Sequence, residues 1–226
     1  MDRVGMNLTT APLERLRAFV EARTTAAPVP LVPELVLRQA TEVHGLWQAA
    51  QAEPEGWEDS PYWAFPWAGG QALSRFLLDH PEVVRGRRVA DFATGSGLVA
   101  IAALRAGAAE VLALDRDPFA EAAVALNAAA NGVAVPFRGG DAIGAPLPGV
   151  EVLLAGDVFY ERGLAEGSVR WFRGLAAAGV RVLAGDAGRT YAPADGVTEL
   201  AAYDVPTTTA IEAAGSKRAR VLELRP

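Results

Sequence analysis

Cysteine is absent from the 226 residues, and histidine occurs only twice, as His44 and His80. The first absence excludes disulfides, thiolate nucleophiles and thiolate metal sites. The second excludes a histidine-rich metal centre, so no metal site is expected. No run approaches the roughly 20 apolar residues that a membrane span needs. The opening residues, MDRVGMNLTTAPLERL, lack the apolar stretch of a secretory signal. A cytoplasmic protein without membrane attachment is the resulting expectation. The net charge of −6 leaves no broad basic surface, which argues against a nucleic-acid partner; the short cluster SKRAR at 216–220 reads as a solvated hairpin or strand edge. Carboxylates, aromatic rings, backbone groups and a bound organic cofactor are what remain to do chemistry.

Length and composition fit one α/β domain with an accessory N-terminal segment. Residues 11–23, APLERLRAFVEAR, place Leu13, Leu16, Phe19 and Val20 at helical spacing behind the cap-like pair Thr9 and Thr10. The proline-bounded stretch APVPLVPELVLRQA leads into a second apolar segment ending near Leu46. Residues 51–70 are broken by proline and glycine, yet hold Trp57, Tyr62, Trp63, Phe65 and Trp67. From there the pattern alternates. RRVADFA, EVLALD, VAVPF, VEVLLAG and VRVLAGD read as strands, while GLVAIAALRAGA, PFAEAAVALNAAANG and LAEGSVRWFRGLAAAG read as helices. Near-continuous apolar strands alternating with helices imply a mostly parallel sheet covered on both faces. VTELAAYDV and RARVLEL, with no clear helix between them, predict an antiparallel pair at one edge.

The stretch VADFATGSG joins a strand to a helix with Gly95 and Gly97 at the turn, where a side chain would keep the backbone away from a ligand. Asp115 ends the next strand, where an acid accepts hydrogen bonds from ribose hydroxyls. Nicotinamide and flavin enzymes share this layout. Asp91, four positions before Gly95, discriminates, because a carboxylate there repels a pyrophosphate and favours a cation. S-adenosylmethionine carries a sulfonium and an ammonium and no phosphate. Helix capping is the bland alternative for Asp115 and Asp141.

This D-x-x-x-G-x-G segment, with Asp115 after the second strand and Asp141 in GGDA after the third, resembles the class I S-adenosylmethionine-dependent methyltransferases. The resemblance implies a Rossmann-like, seven-stranded, mostly parallel sheet with helices on both faces, preceded here by an N-terminal helical extension over 1–60 and occupying 61–226. It also implies that Asp141 and Ala142 lie beside the adenine, and that Ala93 stands where the motif has a glycine. Read as one unit, PYWAFPWAGGQALSRFLLDHPEVVRGRRVADFATGSG is similar to the electron transfer flavoprotein β-subunit lysine methyltransferases and their ribosomal-protein-methyltransferase-like bacterial relatives, which share W-x-G-G-Q, L-L-D-x-P and an acid-x-F-Y-acid signature. That similarity implies that Trp67 lies along the cofactor, with Gln71 nearby, although plugging the sheet edge as a lid is the alternative for Trp63, Phe65 and Trp67.

The signature appears here as GDVFYE, at the end of a central strand. In an open α/β sheet that position faces the ligand crevice. Asp157 is the candidate to hold the acceptor amine, with Phe159 and Tyr160 walling its channel and favouring methylated ammonium by cation–π attraction; core packing is the alternative for Phe159. Asp186 also lies on the active edge, as a substrate contact or equally as a helix or turn cap, and Arg189 could pair with it. The function expected is transfer of methyl groups from S-adenosylmethionine to an exposed lysine of a protein partner, by a monomer. A small-molecule amine methyltransferase and a non-catalytic cofactor-binding module are the alternatives.

Overall fold

In a computed structural model, residues 13–40, 43–53, 59–207 and 215–226 are described. The first expected helix is α1 (Leu13–Arg23), which buries Leu16, Phe19 and Val20. Its expected cap, Thr9 and Thr10, lies outside the described residues, as does Trp57. The proline-bounded stretch then forms an antiparallel hairpin, β1 (Thr25–Val29) and β2 (Val32–Gln39), before α2 (His44–Gln51). The extension therefore contains a two-stranded sheet between its helices. Pro28 is tolerated because β1 is an edge strand with one neighbour, and Val29, Val32, Leu35 and Leu37 are all buried.

The remaining elements are α3 (Ala68–Asp79), β3 (Arg88–Phe92), α4 (Leu98–Arg105), β4 (Glu110–Asp115), α5 (Pro118–Ala130), β5 (Phe137–Gly139), β6 (Val152–Gly156), α6 (Arg162–Ala177), β7 (Arg181–Asp186), β8 (Val197–Pro206) and β9 (Ser216–Leu224). One expected strand moves: VAVPF pairs only from Phe137 onward, because Pro136 has no N–H to donate to a ladder. Alternation sorts the core. Val89, Val152 and Leu154 pack on the face that holds α3 and α4, whereas Ala90, Leu153 and Ala155 face Trp171 and Phe172 of α6.

The seven-stranded sheet has the order β5-β4-β3-β6-β7-β9-β8. Its first five strands are parallel, and β9 and β8 close the edge as the expected antiparallel pair. The strand order reverses between β3 and β6. A crevice opens beyond the carboxyl ends of two strands at such a point, and Asp91 and Asp157 stand on its two sides.

Two features fix the elements around that crevice. The N-terminal turn of α3 passes so close to the ends of β6 and β7 that a Cβ on Gly185 would lie 2.0 Å from the Gly69 carbonyl oxygen, and one on Gly156 2.9 Å from the Gly70 Cα. Only glycines allow that approach. The hairpin, in turn, is docked by side-chain amides of α5: Asn127 Oδ1 accepts from the Arg38 N–H at 2.8 Å, and Asn131 exchanges hydrogen bonds with Val36. Asn127 also donates to the Ser96 carbonyl at 2.8 Å, so the hairpin and the glycine turn share one buried anchor.

Candidate active site

A cavity of about 500 Å³ occupies the crevice, within the range of small-molecule and cofactor sites. Its floor is the turn between β3 and α4. Ala93, Gly95 and Gly97 all have positive φ, of 52°, 51° and 79°. Glycine suits the last two positions without strain, and the alanine at 93 explains by its angle why a glycine would be at ease there. A Cβ on Gly97 would also come 3.1 Å from Val124 Cγ2.

Two acids hold this turn. Asp91 Oδ2 accepts from the Thr94 hydroxyl at 2.5 Å and from the Ala100 N–H at 3.1 Å. Asp115 accepts from the Gly95 N–H at 2.8 Å and from the Asp117 N–H at 3.0 Å. Burial pushes the Asp91 carboxyl up to about 7, more than its hydrogen bonds pull it down. Burial also raises Asp115. Asp141 is exposed, accepts from the Ile143 N–H at 2.9 Å, and lines the cavity beside the buried Ala142.

Opposite lies the end of β6. Asp157 is 6% exposed, has a φ of 55°, and accepts from the Gly70 N–H in the first turn of α3 at 3.0 Å. Burial raises its pKa, against the opposing pull of the Arg189 guanidinium, whose Nε donates to Asp157 Oδ1 at 2.9 Å. The Arg189 backbone N–H donates to the Asp186 carboxylate at 3.1 Å, and that carboxylate also pairs with Arg220 at 3.1 Å.

Tyr160 lines the cavity with its ring 5.0 Å from that of Tyr62, and burial raises its hydroxyl pKa. Phe159 takes the core-packing alternative: it is fully buried in the core under α6 and is not among the cavity-lining residues. Glu161 caps α6 by accepting from the Gly163 N–H.

The aromatic loop divides its labour. Trp63 stacks on Phe119 at 5.9 Å and is buried with Phe65, as a lid core would be, and both also border the cavity. Trp67 lines the cavity, with its indole N–H donated to the Tyr62 carbonyl at 2.9 Å. Gln71 does not reach the cavity: it donates to the Pro66 carbonyl and accepts from Leu31 in the hairpin.

Over 217 residues, 93% of this chain and 87% of the other, the chain is 39% identical to the electron transfer flavoprotein beta subunit lysine methyltransferase of Xenopus laevis. It belongs to that family. The protein of that name from Rattus norvegicus is 36% identical over 94% of this chain and 85% of its own length. A Caenorhabditis elegans homolog is 31% identical over 86% and 90%. The family model of ribosomal protein L11 methyltransferase (PrmA) matches residues 71–139. A crystal structure of a Thermoplasma acidophilum protein shares the fold, with a TM-score of 0.52 over 69% of this chain and 89% of that one at 16% identity.

In this methyltransferase-family site, sequence reasoning missed Asp59 and Asp117 on the walls and the partner of Arg189. Asp117 caps α5 through the Phe119 N–H and is buried, which raises its pKa well above the ordinary range; an acid directly before Pro118 signals only the cap. Asp59 pairs with Arg116. Arg189 reaches Asp157 across 32 positions, a separation that carries no local signal. With Asp59, Asp117 and Glu161 added to Asp91, Asp115, Asp141 and Asp157, acids far outnumber the two arginines on the walls. Such a lining attracts cations and repels phosphates.

Proposed function

We propose that this chain is an S-adenosylmethionine-dependent protein-lysine N-methyltransferase whose acceptor is bound at Asp157. The observation that carries the reading is the acid-lined cavity at the strand-order reversal, with the glycine turn on one side and Asp157 on the other. Carboxylates that burial has pushed towards protonation, Asp91 and Asp117 among them, are relieved by a cationic ligand. A sulfonium with an ammonium meets that requirement, and a pyrophosphate does not.

The residues that would hold the methyl donor are the backbone around Ala93, Gly95 and Gly97, Asp91 towards its ammonium, Asp115 towards the ribose hydroxyls, and Asp141 with Ala142 towards the adenine. Trp67 offers a ring face to the sulfonium. When bound, S-adenosylmethionine supplies an electrophilic methyl carbon. The chain's own residues do the rest. A lysine ammonium, with a pKa near 10.4, gives its proton to water before it can attack; Asp157 then accepts an N–H of the amine and orients its lone pair. Tyr160 walls the channel, and Phe159 supports the turn from the core. Positioning of this kind contributes roughly 7–11 kcal/mol, so no strong base is needed.

The names of the relatives make an electron transfer flavoprotein beta subunit the first partner to test. Incubation of both proteins with methyl-labelled S-adenosylmethionine, followed by peptide mass spectrometry, is expected to place label on lysine. Label confined to small metabolites, or tighter binding of a nicotinamide dinucleotide than of S-adenosylmethionine, overturns the reading. Asp157→Ala is expected to bind S-adenosylmethionine within about threefold of wild type and to lose transfer by at least 10²-fold, the order expected for a lost positioning group.

A further inference from the structure

The acceptor carboxylate already holds a cation. Arg189 Nε donates to Asp157 Oδ1 at 2.9 Å, and the same guanidinium lies 5.6 Å from the Trp67 ring centroid. A carboxylate below and an aromatic face beside it are the partners an alkylammonium seeks. Arg189 is 18% exposed and Asp157 6%, so the pair is largely desolvated. The backbone under Arg189 is fixed. The N–H groups of Gly188 and Arg189 donate to Asp186 at 3.0 and 3.1 Å, and Asp186, fully buried, is itself held by Arg220. Displacement of the guanidinium therefore asks for a change of the Arg189 side chain and not of its backbone.

The rim next to this pair differs from the rest of the surface. Among the described residues the exposed large hydrophobic side chains are Tyr160 and Tyr191, and both stand here: Tyr160 lines the cavity, and the Tyr191 N–H donates to the Phe159 carbonyl at 3.2 Å. A tyrosine-bearing rim suits contact with a protein surface.

We propose that Arg189 determines specificity by occupying the acceptor-amine position, so that the site opens only to a lysine delivered by a protein. This rests on the lysine-methyltransferase reading above. In the resting protein Asp157 is neutralised by Arg189, and a free alkylammonium finds no uncompensated charge at the acceptor position. A lysine on a docked protein displaces the guanidinium because the docked surface holds the amine at high effective concentration and offers the released arginine a carboxylate or carbonyl acceptor. After displacement the lysine's proton goes to water, its nitrogen bonds to the methyl carbon, and the electron pair of the breaking C–S bond stays on sulfur.

The test is the methylation of n-butylamine, followed by mass spectrometry, in wild type, Arg189→Gln and Arg189→Lys. Glutamine still donates an N–H to Asp157 but carries no charge. Wild type is expected to leave butylamine almost untouched, Arg189→Gln to gain at least tenfold in kcat/KM, and Arg189→Lys to stay within about threefold of wild type. Absence of a gain in an Arg189→Gln protein that still binds S-adenosylmethionine overturns the proposal. Should that variant not fold, nuclear magnetic resonance of the wild type decides. The Arg189 Nε–H is expected to exchange slowly with water in the free protein and at least tenfold faster in the complex with electron transfer flavoprotein beta subunit and sinefungin; unchanged protection in the saturated complex overturns the proposal. If that partner neither binds nor accepts methyl groups, the lysine reading fails at its own experiment, while the butylamine comparison still reports on Arg189.

Discussion

At the scale of single residues, the site is built on departures from ordinary backbone and ordinary charge. Ala93 holds a φ of 52°, a region that costs an L-residue about 1 kcal/mol or more. Ala93→Gly is therefore expected to stabilise the protein by about 1 kcal/mol, or roughly 2–4 °C of melting temperature for a chain of this size. An unchanged or lower melting temperature would show that the methyl group packs well enough to offset the strain. Asp91 stores free energy in a different form, because its carboxyl is buried and pushed up to about 7. In Asp91→Asn the amide oxygen can still accept from Thr94 and Ala100, while the charge that a cationic donor would meet is gone. We expect ligand-free stability at pH 8 to be kept or raised and S-adenosylmethionine affinity, measured by calorimetric titration, to fall at least tenfold, about 1.4 kcal/mol. The acids at strand ends were legible in the sequence because strand, glycine turn and acid lie within one short segment. The partners of Arg189 and Gln71 were not, since the first meets Asp157 and the second meets Leu31 at separations of 32 and 40 positions.

At the scale of elements, periodicity located nearly everything that is covered on two sides. The strand EVLALD is β4 residue for residue, and the helices after β3, β4 and β6 start and stop within three residues of their expected places. The hairpin was hidden because Pro28, Pro30 and Pro33 look like breakers, whereas a two-stranded edge needs few ladder N–H groups and takes the rest of its fixing from Asn127 and Asn131. The placement of α3 was hidden too. It depends on Gly69, Gly156 and Gly185 meeting from three separate elements, which no single window contains. Gly185→Ala would put a Cβ 2.0 Å from the Gly69 carbonyl oxygen. Overpacking of backbone by backbone costs about 3 kcal/mol, and the displaced helix would withdraw the Gly70 N–H from Asp157. A melting temperature lowered by roughly 6–12 °C together with lost methyl transfer is the expected outcome. Gly174→Ala, on α6 where nothing lies within 4 Å of the added atom, serves as the control and is expected to gain up to about 1 kcal/mol from helix propensity. Equal behaviour of the two variants would show that the close approach does not hold α3 in place.

At the scale of the whole molecule, function and stability pull against each other around one cavity. Asp91, Asp115, Asp117 and Asp157 all have carboxyls raised by burial, and all lie on its walls. In the unfolded chain these groups lose their protons near pH 3.9; in the folded, ligand-free protein they keep them to higher pH, for Asp91 up to about 7. Between those values the native state binds more protons than the unfolded one, so stability falls as pH rises. A cation in the cavity reverses the balance by favouring the ionised forms. The urea midpoint of the ligand-free protein is therefore expected to drop between pH 5 and pH 8. Addition of S-adenosylmethionine at one hundred times its dissociation constant adds about 2.7 kcal/mol at any one pH, and at a fixed concentration it should add more at pH 8 than at pH 5, because the affinity itself rises as Asp91 ionises. Binding would release protons, detectable as a dependence of the calorimetric enthalpy on the ionisation enthalpy of the buffer. A ligand-free midpoint that climbs over this range, with a ligand increment that does not change, would mean that the acids are solvated or paired in the free protein, and the cavity would lose its claim to prefer a cation.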